Sequence, residues 1–481
     1  MSTHSQHGYS YYDISRILEL KGEGSWKIGI RRYSTQPYSD IEAKINDLLS
    51  GNPSVVGVSG VPGAGKTTFY AYVLAKQLKD RICQRRQEGD LYVYIAPTND
   101  LVIDFLEKFV QILKGAFDVE CPPEILAKRI RAYGSKIESR KYSEVLKTIN
   151  DEVILVAATE WQRVAARLGR SQRRQYYLID EASRMTFTKL FISIADEIAS
   201  RRGWKNIQGF VVIGDENQAI GINRVERRHL LLEKIRRLSE SGSEGVHHLQ
   251  LDHSFRLPKG AEMPIKEGYY EGRLRALGQP ILLNCESECI KGLGEKCRGL
   301  APTLEELSII ARKSPLVHIE LSNEFRPTID GITFDEKRAR IAWCLAQLLS
   351  CCSRKRIVIL TPYVGMSFAI RLVGNLPGNV RAATVSAYLG REDDIVIAVF
   401  GKERAAECKT FYLKDPYLLN VQLSRHRGAL YTMGSAEKLI NSANYCLGNK
   451  RGDIREAGWE KMRRALQTLL ENGDMVIRLT R

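Results

Sequence analysis

The sequence SVVGVSGVPGAGKTT, residues 54–68, decides the fold of this 481-residue chain. Its apolar, β-branched start predicts a strand, Ser54–Val58, and its end leads into helix-forming residues as far as Leu78. Between them, GVPGAGKT fills every fixed position of the Walker A pattern G-x-x-x-x-G-K-[ST]. A strand, a glycine-rich loop and a helix in this order predict a site for a nucleoside triphosphate.

The residue types in this loop explain how it would hold phosphate. Glycines let successive backbone N–H groups close around phosphate oxygens, and the following helix adds its positive end. Lys66 is expected to reach the outer phosphates, and the Thr67 hydroxyl is expected to bind Mg²⁺. The predicted cofactors are ATP and Mg²⁺. The predicted nucleotide-binding residues of the loop are Gly60, Pro62, Gly63, Ala64, Gly65, Lys66, Thr67 and Thr68.

Two later strands end in polar residues that suit the same site. The apolar run YYLI, residues 176–179, ends in Asp180 and Glu181. The first carboxylate can hold Mg²⁺ through its water shell, and the second can deprotonate the attacking water. The run VVIG, residues 211–214, precedes Gln218, whose amide can contact both the γ-phosphate and that water. We therefore predict Asp180 as a metal residue and Lys66, Glu181 and Gln218 as catalytic residues.

Short β-branched runs alternate with amphipathic stretches from about Pro53 onward, with helices predicted at Asp100–Lys114 and Thr188–Ser200. The first series of predicted strands is Ser54–Val58, Leu91–Ala96, Glu152–Ala157, Tyr176–Ile179 and Gly209–Ile213. The second series is Leu316–Leu321, Arg356–Leu360, Arg381–Val385, Asp394–Phe400 and Ala429–Met433. This alternation predicts an α/β protein with two parallel sheets covered by helices.

These patterns divide the chain into four predicted parts. An N-terminal segment, 1–50, precedes a first domain, 51–250. This domain carries Walker A, Walker B (the strand that ends in Asp180 and Glu181) and a small basic, helical insertion at about 115–150. A second domain, 251–440, contains an irregular insertion at about 259–314. A helical extension, 441–481, follows, and its apolar residues from Trp459 to Leu470 have helical spacing.

The net charge of +16 and the pI near 9.3 suit a polyanionic partner, with nucleic acid first and an acidic membrane surface second. No apolar run approaches the roughly 18 residues that a membrane span needs. The polar, tyrosine-rich N-terminus does not resemble a signal peptide. We therefore expect an intracellular protein, in the cytoplasm or the nucleus or nucleoid, that is not secreted.

The ten cysteines show neither a C-x-x-C pair nor the spacing of a small disulfide-rich domain, which fits a reducing interior. Cys285, Cys289 and Cys297, with His318 further on, leave a zinc site open. Their spacings are loose, so incidental thiols are the favoured interpretation. The adjacent pair Cys351-Cys352 is expected to pack in the core at a helix end.

Further motifs follow the predicted strands in a fixed order. They are IAPTN (residues 95–99), VAAT (156–159), DEAS (180–183), HSFRLP (253–258), YEGRL (270–274), LTPY (360–363), VSAYLGREDD (385–394) and NVQLSR (420–425). Through these motifs, the chain resembles the superfamily 1 helicases, specifically the Up-frameshift-like branch (superfamily 1B). The resemblance extends from about Pro53 to Gly434.

This resemblance implies two RecA-like domains, with ATP in the cleft between them and single-stranded nucleic acid across both. By similarity, Arg256 and Arg425 are arginine fingers that stabilise charge on the γ-phosphate in the transition state. Phe255 would stack on adenine, and Gly390 and Glu392 would line the cleft. The implied nucleic-acid contacts are Thr98, Asn99, Thr159, Thr361, Pro362 and Ser386.

Some residues depart from the family pattern, and they keep alternatives open. Leu389 replaces a glutamine, Gln422 and His426 are unusual beside Arg425, and Gln36 alone stands where an adenine-reading glutamine is expected. The leading hypothesis is an ATP-dependent helicase or translocase that moves 5′→3′ on single strands and acts at duplex junctions. The alternative is a nucleic-acid-dependent ATPase switch or remodeller without processive unwinding, and a P-loop ATPase that is not a helicase is a third. The motifs address backbone and stacking, so they do not distinguish DNA from RNA.

Overall fold

The computed structural model contains two compact units. The described residues are 10–11, 38–52, 54–84, 89–134, 152–160, 173–186, 190, 206–219, 230–325, 333–388, 390–404, 408–450, 452–453, 455–472 and 475–479. The first unit comprises residues 1–60, 65–216 and 224–251. The second comprises residues 61–64, 217–223 and 252–481.

A largely parallel sheet organises the first unit. Its strands are β1 (Ser10–Tyr11), β2 (Ser54–Gly60), β3 (Leu91–Ala96), β4 (Ile130–Gly134), β5 (Leu155–Thr159), β6 (Gln175–Ile179), β7 (Ile207–Gly214) and β8 (Val246–Leu251). They lie in the order β1-β4-β5-β3-β6-β7-β2-β8, and β1 alone among them is antiparallel to its neighbour. Every residue of β3, β5 and β6 is buried, as expected for parallel strands covered on both faces.

Helices cover this sheet. They are α1 (Ser39–Leu49), α2 (Lys66–Leu78), α3 (Asn99–Phe117), α4 (Pro123–Arg129) and α5 (Leu231–Glu240). Helix α2 begins directly after Gly65, which has left-handed backbone angles. Thr98 caps the N-terminus of α3, because its side chain accepts a hydrogen bond from the N–H of Leu101. On α3, Phe105 stacks on Tyr94 of β3 with ring centroids 3.7 Å apart. This apolar face of α3 therefore packs on the sheet.

Two further sheets lie in the second unit. The strands are β9 (His253–Pro258), β10 (Arg275–Gly278), β11 (Leu316–Leu321), β12 (Ile357–Thr361), β13 (Val380–Thr384), β14 (Asp393–Val399), β15 (His426–Gly434) and β16 (Val476–Leu479). Strands β9 and β10 form a small parallel pair. The other six form a parallel sheet in the order β13-β12-β14-β15-β11-β16.

The helices of the second unit pack around the larger sheet. They are α6 (Met263–Tyr269), α7 (Ser287–Lys291), α8 (Ala301–Ala311), α9 (Glu336–Cys352), α10 (Val364–Val373), α11 (Phe411–Lys414), α12 (Tyr417–Leu423), α13 (Ala436–Asn449) and α14 (Glu456–Glu471). Helix α14 packs on α6 and α13, and the indole N–H of its buried Trp459 donates to the carbonyl of Leu413 at 2.8 Å. No described helix has the length and apolarity that crossing a lipid bilayer requires.

The predicted α/β class with two parallel sheets is confirmed, and the predicted strands within the described residues exist with boundaries that shift by a few residues. Two expectations need correction. The insertion at 115–150 is not wholly helical, because residues 130–134 form β4 and extend the sheet beside β5. The segment 259–314 is not irregular, because it contains α6, β10, α7 and α8. The predicted helix Thr188–Ser200, apart from residue 190, lies outside the described residues, as do residues 135–150.

The cysteines differ most from expectation. Eight of the ten form disulfides: Cys285–Cys352, Cys289–Cys351, Cys297–Cys344 and Cys408–Cys446. The expectation of incidental thiols at Cys285, Cys289 and Cys297 is therefore wrong. The partners lie 38–67 residues apart in the sequence, so only the packing of distant helices reveals the pairing. In this disulfide form, the described residues contain no group of three or more His, Cys, Asp or Glu side chains placed to hold a metal ion.

Candidate active site

The glycine-rich loop has the backbone of a phosphate-binding loop. Gly63 and Gly65 have φ angles of +74° and +72°, a region that side chains rarely tolerate. A Cβ on Gly63 would lie 2.4 Å from the Cβ of Arg256 and 2.8 Å from the Oγ of Ser254, so this position also lacks room. Lys66 is buried, and its ammonium donates to the carbonyl of Gly60 at 3.1 Å. The loop is thus folded around the side chain of Lys66, and Gly63 and Gly65 occupy positions whose φ angles favour glycine.

The carboxylate of Asp180 lies next to the loop's threonine. The Thr67 hydroxyl donates to Oδ2 of Asp180 at 2.7 Å, and the Tyr94 hydroxyl donates to the same oxygen at 2.8 Å. The backbone N–H of Glu181 donates to the other oxygen, Oδ1, at 2.8 Å. Thr67 and Asp180 are 113 positions apart in the sequence. They meet because α2 begins, and β6 ends, at the carboxyl edge of the sheet.

The surroundings of Asp180 raise the pKa of its carboxyl above the ordinary value. Burial raises the pKa of this carboxyl, and the charge of Glu181 raises it further, although hydrogen bonds from Thr67 and Tyr94 partly oppose the shift. Burial and the charge of Asp180 raise the pKa of Tyr94 in turn. A buried carboxylate beside a hydroxyl is a set of hard oxygen donors, and this set suits Mg²⁺.

Glu181 has an unusual backbone. Its φ of +49° and ψ of +37° place a non-glycine residue in the left-handed region. Such a conformation costs about 1–3 kcal/mol and clusters at functional sites. The side chain is partly exposed, next to the buried Asp180. This is the position where the sequence predicts the general base.

A polar cluster that the sequence did not predict lies at the ends of β2, β7 and β8. The Ser59 hydroxyl donates to Oε1 of Glu216 at 2.9 Å and lies 2.7 Å from Nε2 of His248. Burial opposes ionisation of Glu216, but His248 and Ser59 outweigh it and lower the pKa of this carboxyl. The signal for this cluster was weak, because Ser59 and His248 lie in strands whose pairing the sequence does not reveal.

Gln218 is buried, and its neighbour Asn217 is held firmly in the second unit. The side-chain amide of Asn420 donates to the carbonyl of Asn217 at 2.6 Å, and the ammonium of Lys461 donates to its Oδ1 at 2.7 Å. Asn420 also donates to the hydroxyl of Tyr270 at 3.0 Å. The segment that carries Gln218 is thus fixed by α12 and α14.

Arg256 binds a carboxylate and a carbonyl within the second unit. Its guanidinium donates to Oε2 of Glu392 at 2.7 Å and to the carbonyl of Ser424 at 2.8 Å. Arg427 forms a second ion pair with Glu392. Burial opposes ionisation of Glu392, but the two arginines outweigh it and lower the pKa of Glu392 to about 2. Glu392 is therefore anionic and shared by two cations.

The other predicted arginine finger, Arg425, is buried, and its Nε donates to the carbonyl of Val421 at 3.0 Å. The neighbouring His426 is also buried, and neither ring nitrogen has a hydrogen-bond partner among the described residues. Burial, reinforced by the charge of Arg256, lowers the pKa of His426 to about 3, so the ring is neutral. The unusual Gln422 is structural, since its amide donates to the carbonyls of Leu360 and Val399 at 2.8 and 3.1 Å.

The remaining predicted nucleotide residues lie in the second unit. The N–H of Phe255 donates to the carbonyl of Gly63 at 3.0 Å, and the Ser254 hydroxyl donates to that of Pro62 at 2.6 Å. Gly390 is exposed with a φ of +80°. Leu389, whose identity departs from the family pattern, and Gln36 lie outside the described residues.

The predicted nucleic-acid contacts lie at the carboxyl edges of the two large sheets. In the first unit, Thr98 is exposed, whereas Asn99 and Thr159 are buried; Thr159 pairs in register with Ala96 of the neighbouring β3. In the second unit, Thr361 pairs with Thr384, and Ser386 follows. Three residues at each edge are thus close neighbours along adjacent strands.

Their exposure divides these six residues into two groups. Thr98 and Ser386 are exposed, so their hydroxyls are accessible to a phosphate. Thr361 is fully buried and its hydroxyl donates to the carbonyl of Tyr363 at 2.9 Å, while Pro362 is buried as well. At the buried positions, a nucleic-acid contact would have to come from the backbone.

Two family models match consecutive parts of the chain. Residues 40–213 match the DEAD/DEAH box helicase model, and residues 234–437 match an AAA domain model. Helicase domains of this kind use and hydrolyse ATP. The two matches indicate an ATP-hydrolysing enzyme with helicase domains. No curated protein sequence matches this chain at a significant level.

Solved helicase structures show distant similarity. The arterivirus nonstructural protein 10 helicase, solved with DNA, is 14% identical; the match covers 83% of this chain and 65% of that chain, with a TM-score of 0.38. The Pyrococcus furiosus Hef helicase domain is 15% identical; the match covers 88% of this chain and 99% of that one, with a TM-score of 0.41. Similarity at this level does not bear on activity or substrate.

Proposed function

We propose that this chain is a superfamily 1B, Up-frameshift-like motor that couples ATP hydrolysis to 5′→3′ movement along single-stranded nucleic acid and unwinds the duplexes it meets. The observation that carries the proposal is the hydrogen bond from Thr67 to Asp180, with Glu181 directly beside it. This hydrogen bond joins the Walker A loop to the end of β6, the strand that leads into Asp180 and Glu181, as an ATP-hydrolysing site requires.

In this proposal, Lys66, Thr67, Asp180 and Glu181 of the first unit bind and cleave ATP. Lys66 exchanges the Gly60 carbonyl for phosphate oxygens, which are stronger acceptors for an ammonium group. Thr67 and Asp180 are the residues that would hold Mg²⁺, which neutralises phosphate charge when bound. Glu181 orients and deprotonates the attacking water, and Gln218 contacts the same water.

The second unit supplies cations and a stacking surface. Arg256 and Arg425 are proposed to stabilise the charge that develops on the γ-phosphate, and Phe255 is proposed to stack on adenine. Arg256 is already bound to Glu392, so phosphate competes with this carboxylate for the guanidinium. Such an exchange lets the second unit respond to the presence of the γ-phosphate.

Single-stranded nucleic acid is the proposed track. The net charge of +16 favours a polyanion, and the exposed hydroxyls of Thr98 and Ser386 lie at the carboxyl edges of the two sheets. Asn99, Thr159, Thr361 and Pro362 are proposed to add backbone contacts. Contacts of this kind do not read sequence, as a motor that moves along any strand requires.

Strand displacement with paired overhangs tests this proposal. ATPase activity and unwinding are measured on duplexes with a 5′ or a 3′ overhang, in DNA and in RNA of the same sequence. We expect unwinding from the 5′ overhang, and steep loss of nucleic-acid affinity as salt rises, because phosphate contacts release counterions. Unwinding only from the 3′ overhang contradicts the polarity. Stimulated ATPase activity without displacement on either substrate favours the switch or remodeller instead.

Glu181→Gln tests the site itself. This variant should bind ATP with unchanged affinity and hydrolyse it about 10²–10⁴-fold more slowly, because it keeps the shape and loses the base. Glu124→Gln changes an exposed carboxylate on α4 of the same unit and should leave turnover unchanged. Normal turnover in Glu181→Gln would refute its role as the base.

A further inference from the structure

Six of the eight disulfide cysteines lie in one part of the second unit. Residues 283–300, which include α7, pack against α9, and all three disulfides of this region join these two segments. The buried Cys285, Cys297 and Cys344 belong to the same core as the apolar residues of α8 and α9. The proposed motor function does not use any of these residues.

Four of the six cysteines are linked by short Cα separations. Cys351 and Cys352 are consecutive, so their Cα atoms are about 3.8 Å apart. The Cα of Cys285 lies 4.7 Å from that of Cys352, and the Cα of Cys289 lies 5.8 Å from that of Cys351. The two disulfides are therefore side by side at the C-terminal end of α9.

The third disulfide of this region is separate from that group. Cys344 precedes Cys351 by seven residues on α9, which is about 10.5 Å along a helix axis at 1.5 Å per residue. Its partner Cys297 is bound there as well. The Cys297–Cys344 pair therefore cannot join a single four-sulfur site, and it offers a control within the same unit.

We propose that Cys285, Cys289, Cys351 and Cys352, when reduced, bind one Zn²⁺ as a tetrahedral tetrathiolate site. Zinc binds four cysteine sulfurs at about 2.3 Å, which places any two of them about 3.8 Å apart. Cysteine pairs with Cα separations of 4.7 and 5.8 Å can meet this requirement by rotation of the side chains. In the disulfide form, the described residues contain no such metal-binding group, so reduction of both disulfides is a condition of the proposal.

The chemistry of the conversion balances with a dithiol reductant. Each disulfide accepts two electrons and two protons from one dithiol, which becomes a disulfide, and yields two cysteine thiols. Binding of Zn²⁺ then releases the thiol protons to solvent, because thiolates are the ligands. Cys351 is exposed, whereas Cys285 is buried, so reductant and metal can reach the group from one side.

The charge around the group suits such a site. A tetrathiolate with Zn²⁺ carries a net charge of −2, and the guanidinium of Arg312 donates to the carbonyl of Cys285 at 2.8 Å. Arg354 and Lys355 follow Cys352 after Ser353, and both are exposed. Together with Arg312, these cations outnumber the exposed carboxylates of Glu286 and Glu288, which lie beside Cys285 and Cys289 in the sequence.

This assignment differs from the zinc site that the sequence left open. Cys297 is paired with Cys344, away from the group. His318 is buried in β11, where Nδ1 lies 2.8 Å from the Thr432 hydroxyl and Nε2 lies 2.7 Å from Oε2 of Glu320. The tertiary structure therefore replaces Cys297 and His318 with the two adjacent cysteines at the end of α9.

Metal analysis of the full chain tests the proposal. The protein is reduced with a dithiol under anaerobic conditions, incubated with Zn²⁺ and dialysed, and its zinc content is measured by mass spectrometry. We expect one Zn²⁺ per chain. Titration of the reduced wild-type protein with Co²⁺ should give the intense thiolate-to-metal absorption of a four-sulfur site, saturating at one equivalent. Failure to retain zinc, or a Co²⁺ spectrum without sulfur ligands, would overturn the proposal.

Two double variants locate the site. Cys289→Ser with Cys351→Ser removes two proposed ligands, and Cys297→Ser with Cys344→Ser removes the separate pair. We expect the first variant to lose the bound zinc and the second to retain one equivalent. Retention in both variants, or loss in the second alone, contradicts the assignment. If the first variant does not fold, the Co²⁺ titration of the wild-type protein decides.

Discussion

Replacing Glu392 with Gln removes the one carboxylate that binds both Arg256 and Arg427. The ordinary pKa of this carboxyl is 4.5, and the structure lowers it to about 2. The difference between these two pKa values corresponds to about 3 kcal/mol of folding free energy at neutral pH. The side chain is 27% exposed, so solvent screens this interaction only in part. We therefore expect Glu392→Gln to lower the free energy of unfolding by about 3 kcal/mol at pH 7.

The pH dependence follows from the direction of the shift. A lowered pKa in the folded state stabilises the protein fully above the unfolded pKa of 4.5, and this stability is lost as the pH falls towards 2. At pH 3.5, about 1.4 kcal/mol of the difference between wild type and Glu392→Gln should have disappeared. Urea unfolding at pH 7 and pH 3.5, followed by the fluorescence of Trp343 and Trp459 in the second unit, measures both values.

A matched control separates this ion pair from general charge effects. Glu306→Gln removes an exposed carboxylate on α8 that has no ion pair among the described residues, and it should change stability by less than about 0.5 kcal/mol at either pH. The reasoning is refuted if Glu392→Gln matches wild type at pH 7. It is equally refuted if the difference between the two proteins is the same at pH 3.5 as at pH 7.

Two further substitutions test the loop and the core. Gly63→Ala forces a left-handed residue into contact with Arg256, at a cost of roughly 2–5 kcal/mol, so ATP affinity should fall at least tenfold. Gly378→Ala, which meets no atom within 4 Å, should leave that affinity unchanged; equal effects would discount the crowding. Arg338→Ala leaves the buried Glu403 carboxylate without its ion pair and should cost about 3–5 kcal/mol in urea unfolding. Breaking the exposed ion pair between Arg404 and Glu324 should lower the free energy of unfolding by less than about 1 kcal/mol in the same assay. Equal losses of stability at the two sites would refute the role of burial.

The sequence predicts the strands well because local patterns define them. Buried parallel strands read as short β-branched runs, so Leu91–Ala96 and Leu316–Leu321 have the bounds that the pattern predicts. The sequence of the insertion does not reveal β4, because basic residues mask the alternation of the buried Ile130 and Ala132. Strand β4 lies between β1 and β5 in the sheet, and the local sequence does not specify these neighbours.

The sequence also anticipates the part of the site that follows from topology. Parallel strands present their carboxyl ends at one edge, so the Walker loop and Asp180 had to be neighbours, and Thr67 donates to Asp180 in the structure. The catalytic roles of Glu181, Gln218 and Arg425 stay predictions until they are measured. The order of the motifs does not determine the protonation or ion pairing of each group, such as the neutral His426 or Glu392 with its two ion pairs.

By itself, then, the sequence of this chain determined two parallel sheets and a phosphate-binding loop, because periodicity and glycine positions are local properties. Only the tertiary structure decided the cluster of Ser59, Glu216 and His248, and the pairing of Cys285 and Cys289 with Cys352 and Cys351. These contacts join residues 62–189 positions apart, and no local sequence pattern specifies which distant side chain each residue contacts. They depend on how helices and strands pack, which is settled by burial of the whole apolar surface.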